Sequence, residues 1–261
     1  MKIKLGLMKY FFIIWRLLPF TFRDHLASAR ERRKQKHNHK KFLKNKIKCI
    51  SDHLSAKKPI IYFDIGANKG GFLDELTPYY KMDKVILVEP IPDAAIYLKK
   101  KYPSNICSIY QNVISDQENI NVDFIINEFS ETSSLFEIRS EMEELSKINT
   151  KPVAKQKIIS RTLDGIFFES KISKIDLLKI DVQGAENLVI LGGKEALKNT
   201  KYLWIELSLK PIYKGSPIFS DVYALLQERD FVLLELSPGF RAPNNDELIQ
   251  VDALFLNTKF E

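Results

Sequence analysis

The stretch Ile60-Ile61-Tyr62-Phe63-Asp64-Ile65-Gly66-Ala67-Asn68-Lys69-Gly70-Gly71-Phe72 constrains this chain more than any other. An apolar, β-branched run that closes on an acid and then turns through glycines reads as a buried strand feeding a helix. Such a turn presents backbone N–H groups and a carboxylate to a nucleotide-like cofactor. The next apolar run, Lys84-Val85-Ile86-Leu87-Val88, closes on Glu89. Two acids ending adjacent parallel strands, one beside a glycine turn, make half of a cofactor site.

From Pro59 onward, strand and helix patterns alternate. Strands are expected over 60–64, 84–89, 105–110, 157–163, 175–181 and 202–206, with an added strand over 121–127. Helices are expected over 72–80, 93–101, 186–198 and 219–229. The late strands 231–236 and 252–256 have no helix between them and read as a hairpin. The fold class is therefore α/β, a doubly wound, mostly parallel sheet with an antiparallel hairpin at one edge. In such sheets ligands bind at the carboxyl ends of the strands, and Asp64, Glu89, Asp181 and Glu206 all fall there. The polar stretch 130–150 reads as a lid or substrate insert.

Charge divides the chain in two. Residues 1–58 form an extension with 17 Lys and Arg against Asp24, Glu31 and Asp52, whereas residues 59–261 carry a net charge of −7. The basic character belongs to the extension, and the domain is not expected to bind nucleic acid. Leu5 to Phe20 is apolar but interrupted by Lys9 and Arg16 and ended by Pro19, short for a membrane span. No small-residue cleavage site follows it. Two readings stand: a helix lying in an anionic membrane interface, helped by the basic block Arg30 to Lys48, or a helix packed on the domain or a partner. The first places the protein in the cytoplasm, peripheral at the inner face of the membrane through residues 1–48.

Cys49 and Cys107 are too few for a disulfide framework or a zinc site. All four histidines, His25, His37, His39 and His53, lie in the extension. Histidine-dependent triads and histidine-rich metal centres are thus excluded from the domain.

The glycine spacing selects among cofactors. Gly66, Gly70 and Gly71 miss the G-x-G-x-x-G dinucleotide pattern, and no G-x-x-x-x-G-K-[ST] occurs. An acid directly before the turn repels a pyrophosphate. It suits a cationic, phosphate-free cofactor such as S-adenosylmethionine. Glu89 is then placed to accept the ribose hydroxyls.

Beyond these residues, the chain resembles the FkbM-type family of S-adenosylmethionine-dependent methyltransferases, a branch of the class I, Rossmann-like enzymes. The stretches that carry the resemblance are Asp64-Ile65-Gly66-Ala67-Asn68-Lys69-Gly70, Val88-Glu89-Pro90, Asn112-Val113-Ile114-Ser115-Asp116, Ser133-Ser134-Leu135, Arg161-Thr162-Leu163-Asp164, and Ile175 to Glu186. Gln183 stands where the family often has Glu. The resemblance implies a seven-stranded sheet with the last strand antiparallel. It also implies methyl transfer to an oxygen, typically of a sugar or polyketide. Asp64 would hold the methionine amino end, Gly66, Asn68 and Gly70 would line the turn, Glu89 would hold the ribose, and Asp116 would lie near adenine.

With no core histidine, carboxylates are the natural bases, Asp181 first and Glu206 second. The same two acids are open to holding a divalent metal. Lys179 is read as a packing or surface residue. The acceptor is expected to be a small molecule or a glycan. The alternative to an O-methyltransferase is a binding or scaffold protein that keeps the fold without turnover.

Overall fold

The structure, a computed structural model, describes residues 47–103, 105–142 and 150–260. The expected membrane-facing helix and nearly all of the basic block lie outside the described residues. Among the described residues, no helix is long and apolar enough to cross a membrane.

The strands are β1 (Ile60–Ile65), β2 (Met82–Val88), β3 (Cys107–Tyr110), β4 (Val113–Ile114), β5 (Asn121–Asn127), β6 (Pro152–Arg161), β7 (Ile175–Ile180), β8 (Thr200–Ser208), β9 (Phe231–Pro238) and β10 (Gln250–Asn257). The helices between them are α1 (Gly71–Leu76), α2 (Pro92–Lys101), α3 (Leu163–Glu169), α4 (Glu186–Leu191), α5 (Lys194–Lys198) and α6 (Phe219–Gln227).

Seven strands form one sheet in the order β3-β2-β1-β7-β8-β10-β9. Neighbouring pairs from β3 to β8 run parallel, while β10 runs antiparallel to both β8 and β9. The expected hairpin is therefore at the sheet edge, with its reversed strand inserted one place inward. The chain winds outward from β1 to β3, then crosses back to β7 on the other side of β1. The switch point, where an α/β sheet opens a crevice, lies between β1 and β7.

Both faces of the sheet are covered. One apolar cluster joins Phe63, Ile65, Ile180 and Ile205 to Leu163 of α3, Val189 of α4, Leu197 of α5 and Leu226 of α6. The other joins Tyr62, Leu177 and Trp204 to Phe72 of α1 and Leu98 of α2. Ile47, Ile50 and Leu54 are buried in this second cluster. Residues 47–54, assigned to the extension on charge, thus contribute to the core of the domain.

Three local departures from the expected elements have simple causes. Helix α1 stops at Leu76 rather than Tyr80, because Pro78 has no N–H to extend the ladder. The helix expected over 186–198 is two helices, broken at Gly192 and Gly193. A Cβ on Gly192 would lie 2.2 Å from the Ser115 carbonyl oxygen, so close passage of that loop requires glycine. Strand β6 is longer than expected and joins β4 and β5 in a separate three-stranded sheet. Thr162 accepts the Gly165 N–H at 3.0 Å and caps α3, while Asp164 accepts the N–H groups of Glu195 and Ala196 at the start of α5.

At the switch point, β1 and β7 come together through Gly66. This residue has φ +87°, and a Cβ there would lie 1.9 Å from the Asp181 carbonyl oxygen. Both backbone conformation and space forbid a side chain. Gly66→Ala is expected to lower the unfolding free energy by about 2 kcal/mol or more, the sum of left-handed strain and a backbone clash. Urea denaturation of the variant checks it; an unchanged midpoint would show that the turn can move away from β7.

Candidate active site

The site begins with a charge buried at the sheet centre. Lys179 lies directly beside Asp64 in the β1–β7 register. Its Nζ donates to Asp64 Oδ1 at 3.0 Å, approaches Asp181 Oδ2 at 3.3 Å and sits 5.7 Å over the Phe72 ring. Asp64 is fully buried, and its Oδ2 accepts the Tyr62 hydroxyl at 2.9 Å. Burial works against the ammonium, but Asp64 and Asp181 outweigh it and raise the Lys179 pKa above its ordinary value. The expectation of a packing or surface role for Lys179 is therefore corrected. It does face away from Leu178, but a parallel sheet buries both faces, and the second face carries the site.

The turn after β1 is shaped for contact with Glu89. Asn68 adopts φ +46°, and its N–H donates to Glu89 Oε2 at 2.8 Å; the Ile91 N–H donates to Glu89 Oε1 at 2.8 Å. Glu89 is 4% exposed. Burial pushes its pKa up to about 7, against the two backbone N–H bonds that lower it, with the Asp64 charge raising it further. Gly70 has φ +74°, and a Cβ on it would meet the Tyr102 hydroxyl at 2.4 Å. Asp64, Gly66, Asn68, Gly70 and Glu89 thus share one corner of the sheet.

Asp181 and Glu206 form the other half. Gln183 Nε2 donates to Asp181 Oδ1 at 2.7 Å and to Glu206 Oε2 at 3.0 Å. Gln250 Nε2 adds a bond to Glu206 Oε2 at 2.7 Å. The Tyr213 hydroxyl donates to Gln183 Oε1 at 2.8 Å. A cavity of about 190 Å³ opens here, lined by Phe129, Ile138, Gln183, Glu206, Tyr213 and Gln250 among others. A second, more open groove of about 580 Å³ shares Ile138 and Thr150 with it and runs past Phe136, Lys155 and Lys214.

The polar insert builds this cavity. Ser134 is fully buried and pairs with Ile125 of β5, and its Oγ donates to the Gln183 carbonyl at 2.6 Å. Ser133 Oγ accepts the Asn127 N–H at 3.1 Å. Ile138 bridges to Tyr213 in antiparallel fashion.

Asp116 is not brought to this cluster. It is exposed and follows β4 of the small sheet; its Oδ1 accepts the Ser115 hydroxyl at 2.9 Å, and its Cα packs where Gly192 closes α4. Helix α4 starts at the β7 end and runs away from it, so Asp116 lies at the far end of that helix.

A model of the methyltransferase FkbM domain matches residues 64–233. The chain belongs to the FkbM methyltransferase family. It is accordingly an S-adenosylmethionine-dependent methyltransferase with a class I strand order. It is 28% identical over 188 residues to the 2-O-methyltransferase NoeI of Sinorhizobium fredii (strain NBRC 101917 / NGR234), covering 69% of this chain and 75% of NoeI. Among solved structures it is similar to methyltransferase FkbM from Methylobacillus flagellatus KT, with TM-score 0.49 and 15% identity over 78% of this chain. It spans only 45% of that protein's length. It is also similar to the magnesium protoporphyrin IX methyltransferase of Synechocystis PCC 6803, solved with bound S-adenosylmethionine, with TM-score 0.48, 9% identity and coverage of 84% of this chain and 80% of that one.

The residues of this FkbM domain fit the methyl donor. When ionised, Glu89 would offer acceptor oxygens to the ribose hydroxyls. Asp64, Asp181 and Glu89 against the single Lys179 leave the corner negative, as a sulfonium and an amino group require. Asp64 itself is sealed behind Lys179 and Tyr62. A divalent metal does not fit between Asp181 and Glu206, because the Gln183 amide N–H groups point at both carboxylates. Among the described residues, no group of three or more His, Cys, Asp or Glu is arranged to hold a metal.

Two predictions come from this corner. Lys179→Met leaves Asp64 buried without its cation and is expected to cost about 3–5 kcal/mol of stability. Adding Asp64→Asn should return part of that loss; strict additivity in denaturant titrations would show that the pair is not coupled. Glu89 has a folded pKa above the ordinary carboxylate range, so its contribution to stability is present at low pH and is lost as pH rises through about 7. Cofactor binding has the opposite sign, because ribose hydroxyls need the ionised acceptor. S-adenosylmethionine affinity should rise as pH passes through about 7, and calorimetry should find that rise missing in Glu89→Gln. An equal pH dependence in both proteins would remove Glu89 from the ribose site.

Proposed function

We propose that this protein methylates a hydroxyl group of a sugar or glycan, with Asp181 as the proton acceptor and Glu206 holding the acceptor molecule. The observation that carries this reading is the pairing of Asp181 and Glu206 around Gln183, with Gln183 and Glu206 lining a cavity. Carboxylates accept hydrogen bonds and do not donate when ionised, so a pair of them selects an acceptor rich in O–H donors. Phe129, Tyr213 and Phe240 in the cavity wall suit the C–H face of a pyranose ring. The adjoining groove suits an acceptor longer than one sugar. The likeness to NoeI, named a 2-O-methyltransferase, supports oxygen as the atom methylated.

S-adenosylmethionine, when bound, supplies a methyl group on a positively charged sulfur. The chain supplies the rest. Glu89, Asn68 and the Gly66–Gly70 turn hold the donor. Glu206 and Gln250 orient the acceptor hydroxyl, and Asp181 takes its proton as the oxygen–methyl bond forms and the sulfur–methyl bond breaks. Holding the reacting atoms in line provides a large share of the rate.

The test is transfer of tritiated methyl from S-adenosylmethionine to a panel of methyl pyranosides and oligosaccharides, with the labelled position mapped after hydrolysis. Label is expected on a sugar oxygen. Asp181→Asn should lower kcat by about 10²-fold or more, the usual worth of a general base, while Glu206→Gln should act mainly on KM. A fully active Asp181→Asn variant removes Asp181 as the base. Absence of label on every sugar, with cofactor binding intact, overturns the acceptor assignment.

A further inference from the structure

We infer that Gln183 is a positioning residue whose side-chain amide keeps Asp181 and Glu206 side by side as two ionised carboxylates, and that Tyr213 sets the orientation of this amide. What the pair does with a proton rests on the reading above; the arrangement itself does not. Gln183 Nε2 lies within 3.0 Å of an oxygen of each acid, and Oε1 lies 2.8 Å from the Tyr213 hydroxyl. Ionised carboxylates only accept, so the amide must turn its NH₂ toward them and its carbonyl toward a donor. Tyr213 is that donor, its hydroxyl lying 2.8 Å from Oε1 and 3.2 Å from the Thr132 carbonyl oxygen. Burial first, then the charges of Glu206, Glu186 and Asp181, raise its phenol pKa well above the ordinary value, so it keeps its proton. Two carboxylates that flank one amide nitrogen repel each other, and like charges at short range raise one of the two pKa values. The two N–H groups of one amide offset that repulsion.

The backbone shows how firmly Gln183 is placed. It adopts φ +57°, and Gly184 follows at φ +99°. A left-handed non-glycine residue persists where its surroundings over-determine it. Here Ser134 Oγ donates to the Gln183 carbonyl, and Glu186 Oε1 accepts the Gly184 N–H at 3.0 Å. A Cβ on Gly184 would lie 2.8 Å from the Tyr213 ring, so the turn and the tyrosine are packed as a unit.

Other ionisable groups face the acid pair from every side. Lys179 comes from β7, Asp64 from β1 and Glu186 from the start of α4. Asp252 lies opposite Glu206 on β10, and Glu131 lies across the cavity. Lys179 is the cation among these, and it touches Asp181; Gln183 and Gln250 supply the amide donors to Glu206.

The test is a pH titration of the full-length protein carrying ¹³C-carboxyl Asp and Glu, followed by NMR, with resonances assigned through Asp181→Asn and Glu206→Gln. The wild type sets the reference titration of the two carboxyls. In Gln183→Glu, a third carboxylate replaces the amide, and one member of the cluster should titrate at least about one pH unit higher. Tyr213→Phe should displace the titration in the same direction by less, and it decides the matter if the first variant does not fold. Matching curves for wild type and folded variants would overturn the inference. S-adenosylmethionine affinity within about threefold of wild type, measured by calorimetry, would show the donor corner intact, as expected for a residue on the acceptor side. Titrations displaced in the variants, together with failed sugar labelling, would sink the acceptor reading and not this one.

Discussion

The ammonium of Lys179, held between Asp64 and Asp181, is the interaction on which the rest of this site depends. It lies where β1 and β7 meet, under the turn that follows β1. Burying a carboxylate as deeply as Asp64 is tolerable only with a cation and a hydroxyl beside it, and Lys179 and Tyr62 provide both. The same ammonium touches the first acid outside the core, Asp181. One charge thus links the sealed interior of the sheet to its reactive edge.

From that link the two halves of the site separate in chemical character. The donor corner is made by backbone: Gly66 passes under the Asp181 carbonyl, Asn68 turns left-handed, and Glu89 gathers N–H groups from two loops. The proposed acceptor corner is made by side chains, through Gln183, Tyr213 and Gln250. A methyl donor of fixed shape suits a rigid backbone cradle. Recognition and deprotonation of an acceptor, as proposed, suit a hydrogen-bonded network whose members can be exchanged singly.

The parallel sheet was legible because its strands are short apolar runs that end in acids, and Asp64, Glu89, Asp181 and Glu206 do fall at one edge. Lys179 was not, although it left a signal: a lysine inside a buried strand, two residues before Asp181, has to be paired. In the sequence, Gln183 stands out only by taking the place where the family often has Glu, and nothing in its neighbours announces φ +57° or a bond to Tyr213, thirty residues on. Asp116 sits in a familiar-looking run, yet β4 leaves the main sheet and carries it toward α4. The small sheet itself is formed by a pairing between β5 and β6 that spans the whole polar insert.

By itself, the sequence determined the periodic apolar strands, the glycine turn with its acid, the absence of a core histidine and the segregation of basic charge into the first 58 residues. These are local properties, set by residue type and spacing. Only the tertiary structure decided that Lys179 is buried against two acids, that Gln183 joins Asp181 to Glu206, and that Tyr213 orients it. Those contacts join β1, β7, β8 and the loop before α6, which are far apart in the chain. Strand order and register bring them together, and no local pattern encodes either.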